Sequence, residues 1–134
     1  MTMAHPEEAQ VPPVDVCIIE DDGMIQELVN QILEDVGIHA ETCPLGWNAH
    51  RWIRERCPKV VILDVQMPEV DGIQLFYLLR ADPRTHTIRV IFLTANPQKV
   101  LQELPNYGEM GAEILPKPFV IDDLLKIVRQ DLDA

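Results

Sequence analysis

The sequence predicts an α/β domain: a doubly wound, five-stranded parallel sheet in the order 2-1-3-4-5, with five helices on its two faces. Three observations predict it. Val60-Val61-Ile62-Leu63 is a short, β-branched apolar run that ends in Asp64 and then a turn containing Pro68 and Asp71-Gly72. A run of this kind reads as a strand buried on both sides, as in a parallel sheet. Five strand-like runs alternate with five helical stretches across short links, and that alternation means parallel strands joined by right-handed crossovers. Acidic residues follow directly on two of the runs, at the sheet edge where open α/β sheets place their chemistry.

Val14 to Ile19 reads as the first strand, apolar apart from Asp15, and runs into Glu20-Asp21-Asp22. Asp22 is explained by the helix start that follows, where a carboxylate faces the positive dipole end. Met24, Ile25, Leu28, Val29, Ile32, Leu33 and Val36 recur at helical spacing on one face, and Gly37 ends that helix. Ile38 to Thr42 is a half-polar strand suited to an edge, and Cys43 to Gly46 is a loop. Trp47 to Arg56 is the second helix, with Ala49, Trp52 and Ile53 inward, and Lys59 to Leu63 is the third strand. Ile73 to Arg80 is a helix apolar nearly all round, through Leu75, Phe76, Tyr77, Leu78 and Leu79, as suits a buried helix. Arg89 to Leu93 is the fourth strand, with Thr94 at its end, and Asn96-Pro97 reads as an N-cap and first helical residue. The fourth helix is short because Pro105 cannot continue it. Asn106 to Gly111 is irregular, Ala112 to Leu115 is a weak fifth strand, and Pro116-Lys117-Pro118-Phe119 is a stiff loop. Val120 to Leu132 is the last helix, with Ile121, Leu124, Leu125, Val128 and Leu132 inward. Residues 1–13 read as a flexible tail, so the domain is 14–134.

Composition narrows the function. At 134 residues this is one domain with room for a core. The net charge of −11 opposes direct binding to nucleic acid or to an anionic membrane, since both need basic residues, but it suits a site that gathers divalent cations. Cys17, Cys43 and Cys57 show neither a disulfide pattern nor zinc spacing, which suits a reducing cytoplasm. No stretch is long enough to span a bilayer, and the N-terminus lacks the layout of a signal peptide. His5, His39, His50 and His86 read as solvated residues, His39 alone packing in the edge strand.

In the predicted strand order, strands 1 and 3 are neighbours, so Glu20, Asp21 and Asp64 converge. Three carboxylates at close range repel one another, and a hard, oxygen-ligated Mg2+ is the natural counter-ion. Lys117 after strand 5 supplies a second positive charge, and Thr94 after strand 4 offers a hydroxyl to the same crevice. An aspartate held between a cation and an ammonium can act as a nucleophile toward phosphorus and form an acyl phosphate. Singly, each residue has an ordinary explanation: Asp64 as a helix cap, Thr94 as a turn residue, Lys117 as a solvated side chain.

Ile18-Ile19-Glu20-Asp21, Leu63-Asp64-Val65-Gln66-Met67-Pro68 with Asp71-Gly72, Phe92-Leu93-Thr94-Ala95 and Leu115-Pro116-Lys117-Pro118-Phe119 together resemble the receiver domain of two-component response regulators, of CheY-like fold. The resemblance covers Val14 to Leu132. It implies that Asp64 is the phosphoacceptor, a signalling role rather than that of an enzyme. The phosphoryl group would come from a sensor histidine kinase or a histidine phosphotransfer protein. Asp21 and Asp64 would ligate Mg2+ directly, Glu20 through water, and the backbone carbonyl of Gln66 would complete the protein ligands. Thr94 would be the switch hydroxyl and Lys117 would pair with the phosphate. The Lys117–Pro118 bond would be cis, and Gln66 and Asn96 would tune self-dephosphorylation.

Three departures stand out. Receivers carry Tyr or Phe three residues before the lysine, where this chain has Ile114, so the coupled threonine–aromatic switch cannot work in its usual form. Pro105 breaks the fourth helix on the face where receivers signal, which predicts a remodelled output surface with an altered downstream partner or homodimer. Val65 in place of an aromatic, with both tryptophans on the second helix, predicts little fluorescence response at the site. The sequence stops just after the fifth helix, as a single-domain regulator or an excised piece would. The alternative reading is a pseudo-receiver that binds its partner without phosphorylation. An Mg2+-dependent aspartyl phosphatase of another α/β family is disfavoured, because Glu20-Asp21-Asp22 lacks the Asp-x-Asp pattern and no cap segment is present.

Overall fold

The computed structural model describes residues 14–134; the predicted N-terminal tail lies outside them. Ten elements alternate: β1 (Val16–Ile19), α1 (Gly23–Asp35), β2 (Ala40–Thr42), α2 (Asn48–Arg56), β3 (Val60–Asp64), α3 (Gly72–Ala81), β4 (Arg89–Thr94), α4 (Pro97–Glu103), β5 (Ala112–Pro116) and α5 (Ile121–Leu132). All strand pairs are parallel, in the order β2-β1-β3-β4-β5. The fold is the one the sequence predicts, with strands 1 and 2 starting two residues later.

Alternation along each strand builds two cores. Cys17, Ile19, Val61, Leu63, Val90 and Phe92 face α2, α3 and α4, where Ile53, Phe76, Leu79 and Val100 cover them. Val16, Ile18, Val60, Ile62, Ile91 and Leu93 face α1 and α5, where Val29, Leu33, Leu124 and Val128 cover them. Every residue of β3 is buried, which is why its sequence is a continuous apolar run rather than an alternating one. α1 stops at Gly37, whose φ of +80° suits glycine, and the Ile38 N–H donates to the Leu33 carbonyl to close the helix end.

Several apolar positions are not where periodicity puts them. Met24 is 83% exposed, Leu28 and Val36 are exposed, and so are Ile121 on α5 and Tyr77 on α3. The apolar stripe of α1 is wider than the part of it that the sheet covers, which is Val29, Ile32 and Leu33. His50 is also not simply solvated. Its Nε2 lies 2.9 Å from Asp82 Oδ2, and Arg54 Nε lies 2.6 Å from the same oxygen, so a three-residue cluster ties α2 to the end of α3. The Arg84 N–H donates to the other oxygen of Asp82, and these partners hold that carboxyl below its usual range.

Candidate phosphoacceptor and metal site

The crevice at the carboxyl ends of β1, β3, β4 and β5 brings the predicted residues together. β1 and β3 pair in register, Ile19 beside Leu63, so Glu20 and Asp64 leave adjacent strands side by side. Carboxylate oxygens of Glu20, Asp21 and Asp64 lie within 4.8 Å of one another. Glu20 is 1% exposed and Asp64 6%, whereas Asp21 is open to solvent. Asp64 is thus recessed in the crevice rather than standing free. Asp22 takes no part in the cluster: its carboxylate caps α1, accepting from the Met24 and Ile25 N–H groups.

Lys117 reaches in from the loop after β5. Its Nζ is 2.6 Å from Glu20 Oε1 and 3.8 Å from Asp64 Oδ1, so the ammonium sits against the buried glutamate first. The Lys117–Pro118 bond is cis. The Lys117 N–H donates to the Thr94 carbonyl, which ties the ends of β4 and β5. Thr94 is buried, and its hydroxyl oxygen accepts the Asn96 N–H at 2.9 Å. That bond belongs to a tight turn. Asn96 precedes α4 without making a side-chain cap, so the predicted capping role is not what its side chain does.

Beyond Asp64 the chain turns sharply. The Gln66 N–H donates to Asp64 Oδ1 at 3.3 Å, Glu69 takes φ +67°, and the Gly72 N–H donates to the Val65 carbonyl. A Cβ on Gly72 would meet the Asp64 carbonyl oxygen at 2.2 Å, so only glycine fits there. The next helix is fastened by a capping box: Asp71 Oδ1 accepts the Gln74 N–H, and Gln74 Oε1 accepts the Asp71 N–H. A turn was legible at Asp71-Gly72, but not the contact with the Asp64 backbone. Lys99 in the first turn of α4 faces Asp71 at 3.9 Å across the rim, a pairing the sequence did not signal.

Electrostatics mark Asp64 as the unsettled group. Its carboxyl is pushed up from 3.8 to about 7, first by burial, then by the hydrogen bond with Glu20 and its charge, and by the Asp21 carboxyl; Lys117 pulls the other way. Three carboxyls against one ammonium leave excess negative charge in a confined space. The donor set is all oxygen, closely spaced and partly open, which fits a hard divalent cation held by carboxylates and water.

On the output side, α4 ends at Glu103, ahead of Pro105, and turns occupy residues 105 to 111. Arg80 on α3 holds this segment: its guanidinium donates to the carbonyls of Met110, Ile88 and Gly111 and stacks on Phe76 at 4.6 Å. Sequence reasoning missed this clamp, since a lone arginine at a helix end carries no signal of it. Ile114 is partly buried on β5 against the core under α4.

Comparisons with known proteins identify the family. A family model described as the response regulator receiver domain matches residues 16–129. Response regulator Rre1 of Synechocystis sp. is 32% identical over 118 residues, which is 87% of this chain and 51% of that protein. The chain spans about half the length of the first curated relatives it matches. Among solved structures, it is similar to the signal receiver domain of a signal transduction histidine kinase from Syntrophus aciditrophicus (33% identity, TM-score 0.77, 90% of each chain covered). It is also similar to a putative response regulator from Chloroflexus aurantiacus (29% identity, TM-score 0.79, covering 92% of this chain and all of that one). On the family match and its fold, the chain belongs to the response regulator receiver domain family of two-component systems.

Proposed function

We propose that the chain is a phosphoacceptor whose switching is driven by transfer of a phosphoryl group from a phosphohistidine to Asp64. An Asp64 carboxylate oxygen attacks phosphorus, the P–N bond to the donor imidazole breaks as the new P–O bond forms, and neutral imidazole leaves after protonation. The observation that carries this reading is the convergence of Glu20, Asp21, Asp64 and Lys117 in one crevice. Asp21 and Asp64, with Glu20 through water and the Gln66 backbone carbonyl, would hold Mg2+. Bound there, Mg2+ would lower the Asp64 carboxyl back into its ionised range and screen charge on the phosphoryl oxygens. Lys117, held on Glu20 in this state, is the group to turn toward the phosphoryl group, and the Thr94 hydroxyl the one to donate to it. Gln66 and Asn96, near the crevice in sequence, are the residues proposed to tune the lifetime of the acyl phosphate.

A sensor histidine kinase or histidine phosphotransfer protein is the donor, and the cytoplasm, where two-component regulators work, is the compartment. An apolar recess of roughly 360 Å3 between Ile25, Leu28, Ala95 and Phe119 opens beside Lys117, and Leu28 is exposed. An apolar patch in this place suits a donor helix that must bring its histidine to Asp64. The short α4, the 105–111 turns and Ile114 give the downstream partner, or a second copy, a reshaped face. Incubation with Mg2+ and acetyl phosphate, followed by intact-mass analysis, tests the reading: wild type gains one phosphoryl group and Asp64→Asn gains none. Absence of any gain in wild type would favour binding that is independent of phosphorylation.

A further inference from the structure

At the opposite rim of the sheet, three charged side chains meet outside the Asp64 site. Arg89 starts β4, Glu113 lies near the start of β5, and Asp131 stands in the last turn of α5. Arg89 Nη2 is 3.9 Å from Glu113 Oε1, and Arg89 Nε is 3.5 Å from Asp131 Oδ1. The Asp131 side chain is only 3% exposed, and its Oδ2 has no hydrogen-bond donor among the described residues. Lys59 and the carboxyl-terminal Ala134 line the same groove of roughly 510 Å3 beneath α5, so one further charge of each sign faces it, and the Arg80 guanidinium on α3 lies close enough to Arg89 for their charges to repel.

A buried carboxylate oxygen without a donor is costly. Glu113 and Asp131 both stand within 4 Å of the one Arg89 guanidinium, which brings their carboxyls together. Two carboxyls can hydrogen-bond only if one keeps its proton, so a proton on Glu113 would supply the donor that Asp131 Oδ2 lacks. We propose that Arg89, Glu113 and Asp131 form a proton-operated lock that fastens the last turn of α5 to the sheet. With the proton in place, one carboxylate faces one guanidinium and the cluster is neutral. Without it, two carboxylates share a single guanidinium and repel each other across the α5–β5 contact.

The lock works around neutral pH. Burial, the hydrogen bond with Asp131 and the charge of Asp131 raise the Glu113 carboxyl from 4.5 to about 7, while Arg89 opposes them. Because the folded-state value is the higher one, the stability is present below the unfolded value and is lost as pH rises through about 7. Its functional consequence is a C-terminal helix that loosens in alkaline conditions, independently of chemistry at Asp64.

The test uses the full chain carrying Asp64→Asn, so that the crevice does not titrate in the same range. Amide exchange of residues 128–132, corrected for the intrinsic pH dependence of exchange, is compared at pH 6 and pH 8. Protection should fall by between about threefold and tenfold, the upper figure being the full linkage of a group moved from 4.5 to about 7. Adding Glu113→Gln should remove that fall. A carboxyl carbon titration of the Glu113 side chain, which needs no substitution at that position, should give a midpoint near 7. A midpoint in the ordinary glutamate range, or an equal fall in the Glu113→Gln protein, would overturn the lock.

Discussion

Replacing Asp64 by asparagine should stabilise the protein when no divalent ion is present, and by more at high pH than at low. Moving a carboxyl from 3.8 to about 7 corresponds to about 4 kcal/mol, at about 1.36 kcal/mol per pH unit. The crevice opens to water through Asp21, and Lys117 stands 3.8 Å away, so screening reduces this to roughly 2 kcal/mol. The sign follows from the direction of the change. The contribution is present below 3.8 and is lost as pH climbs through about 7, because ionisation then forces a third negative charge into the cluster. Asparagine keeps the shape and never ionises. Urea unfolding followed by circular dichroism in EDTA should therefore show Asp64→Asn ahead of wild type by about 1 kcal/mol at pH 5 and about 2 kcal/mol at pH 8. Mg2+ should reverse the order of benefit, raising wild type by about 1.4 kcal/mol at tenfold its dissociation constant and the variant by much less. An asparagine protein that is equally or less stable at both pH values, with the same response to Mg2+, would refute the electrostatic account of the crevice.

Other substitutions probe the parts around it. Lys117→Met strips the 2.6 Å partner from Glu20, which is 1% exposed, so denaturant melts in EDTA at pH 8 should show a loss of about 3 kcal/mol, and phosphoryl uptake from acetyl phosphate should fall sharply. Gly72→Ala puts a Cβ against the Asp64 carbonyl oxygen; the forced backbone shift should cost about 2 kcal/mol or more and slow phosphorylation, measurable by melting and intact mass. Arg80→Ala removes the clamp on three carbonyls and should cost about 3 kcal/mol, with faster amide exchange concentrated in residues 106–111. Saturating Mg2+ should change tryptophan emission little, because Trp47 is solvent-exposed and Trp52 packs under Arg56; a large quench would contradict that placement.

What could be read from the sequence was whatever rests on uninterrupted burial. The β3 run into Asp64 and the acids after β1 placed the crevice, because parallel strands must be apolar on both faces and must break where the sheet ends. Pro105 marked the end of α4, since proline removes a backbone donor. Positions that depend on what lies opposite were not legible. Periodicity put Met24, Leu28 and Ile121 inward, yet it cannot tell how wide a strip of sheet awaits them. Nothing in the spelling of Asp131 or Glu113 distinguishes them from the surface acids around them; burial against Arg89 is a property of the assembled α5 and sheet. His50 likewise looked solvated until α2 and α3 came together around Asp82.

Locating the modified residue tests the central claim most directly. Wild-type protein treated with Mg2+ and acetyl phosphate, then reduced with borohydride to trap the acyl phosphate and mapped by tandem mass spectrometry, should carry the reduced side chain at position 64 and only when Mg2+ is supplied. Reduction at another carboxylate, or none in protein whose crevice is shown to bind Mg2+, would contradict Asp64 as the phosphoacceptor.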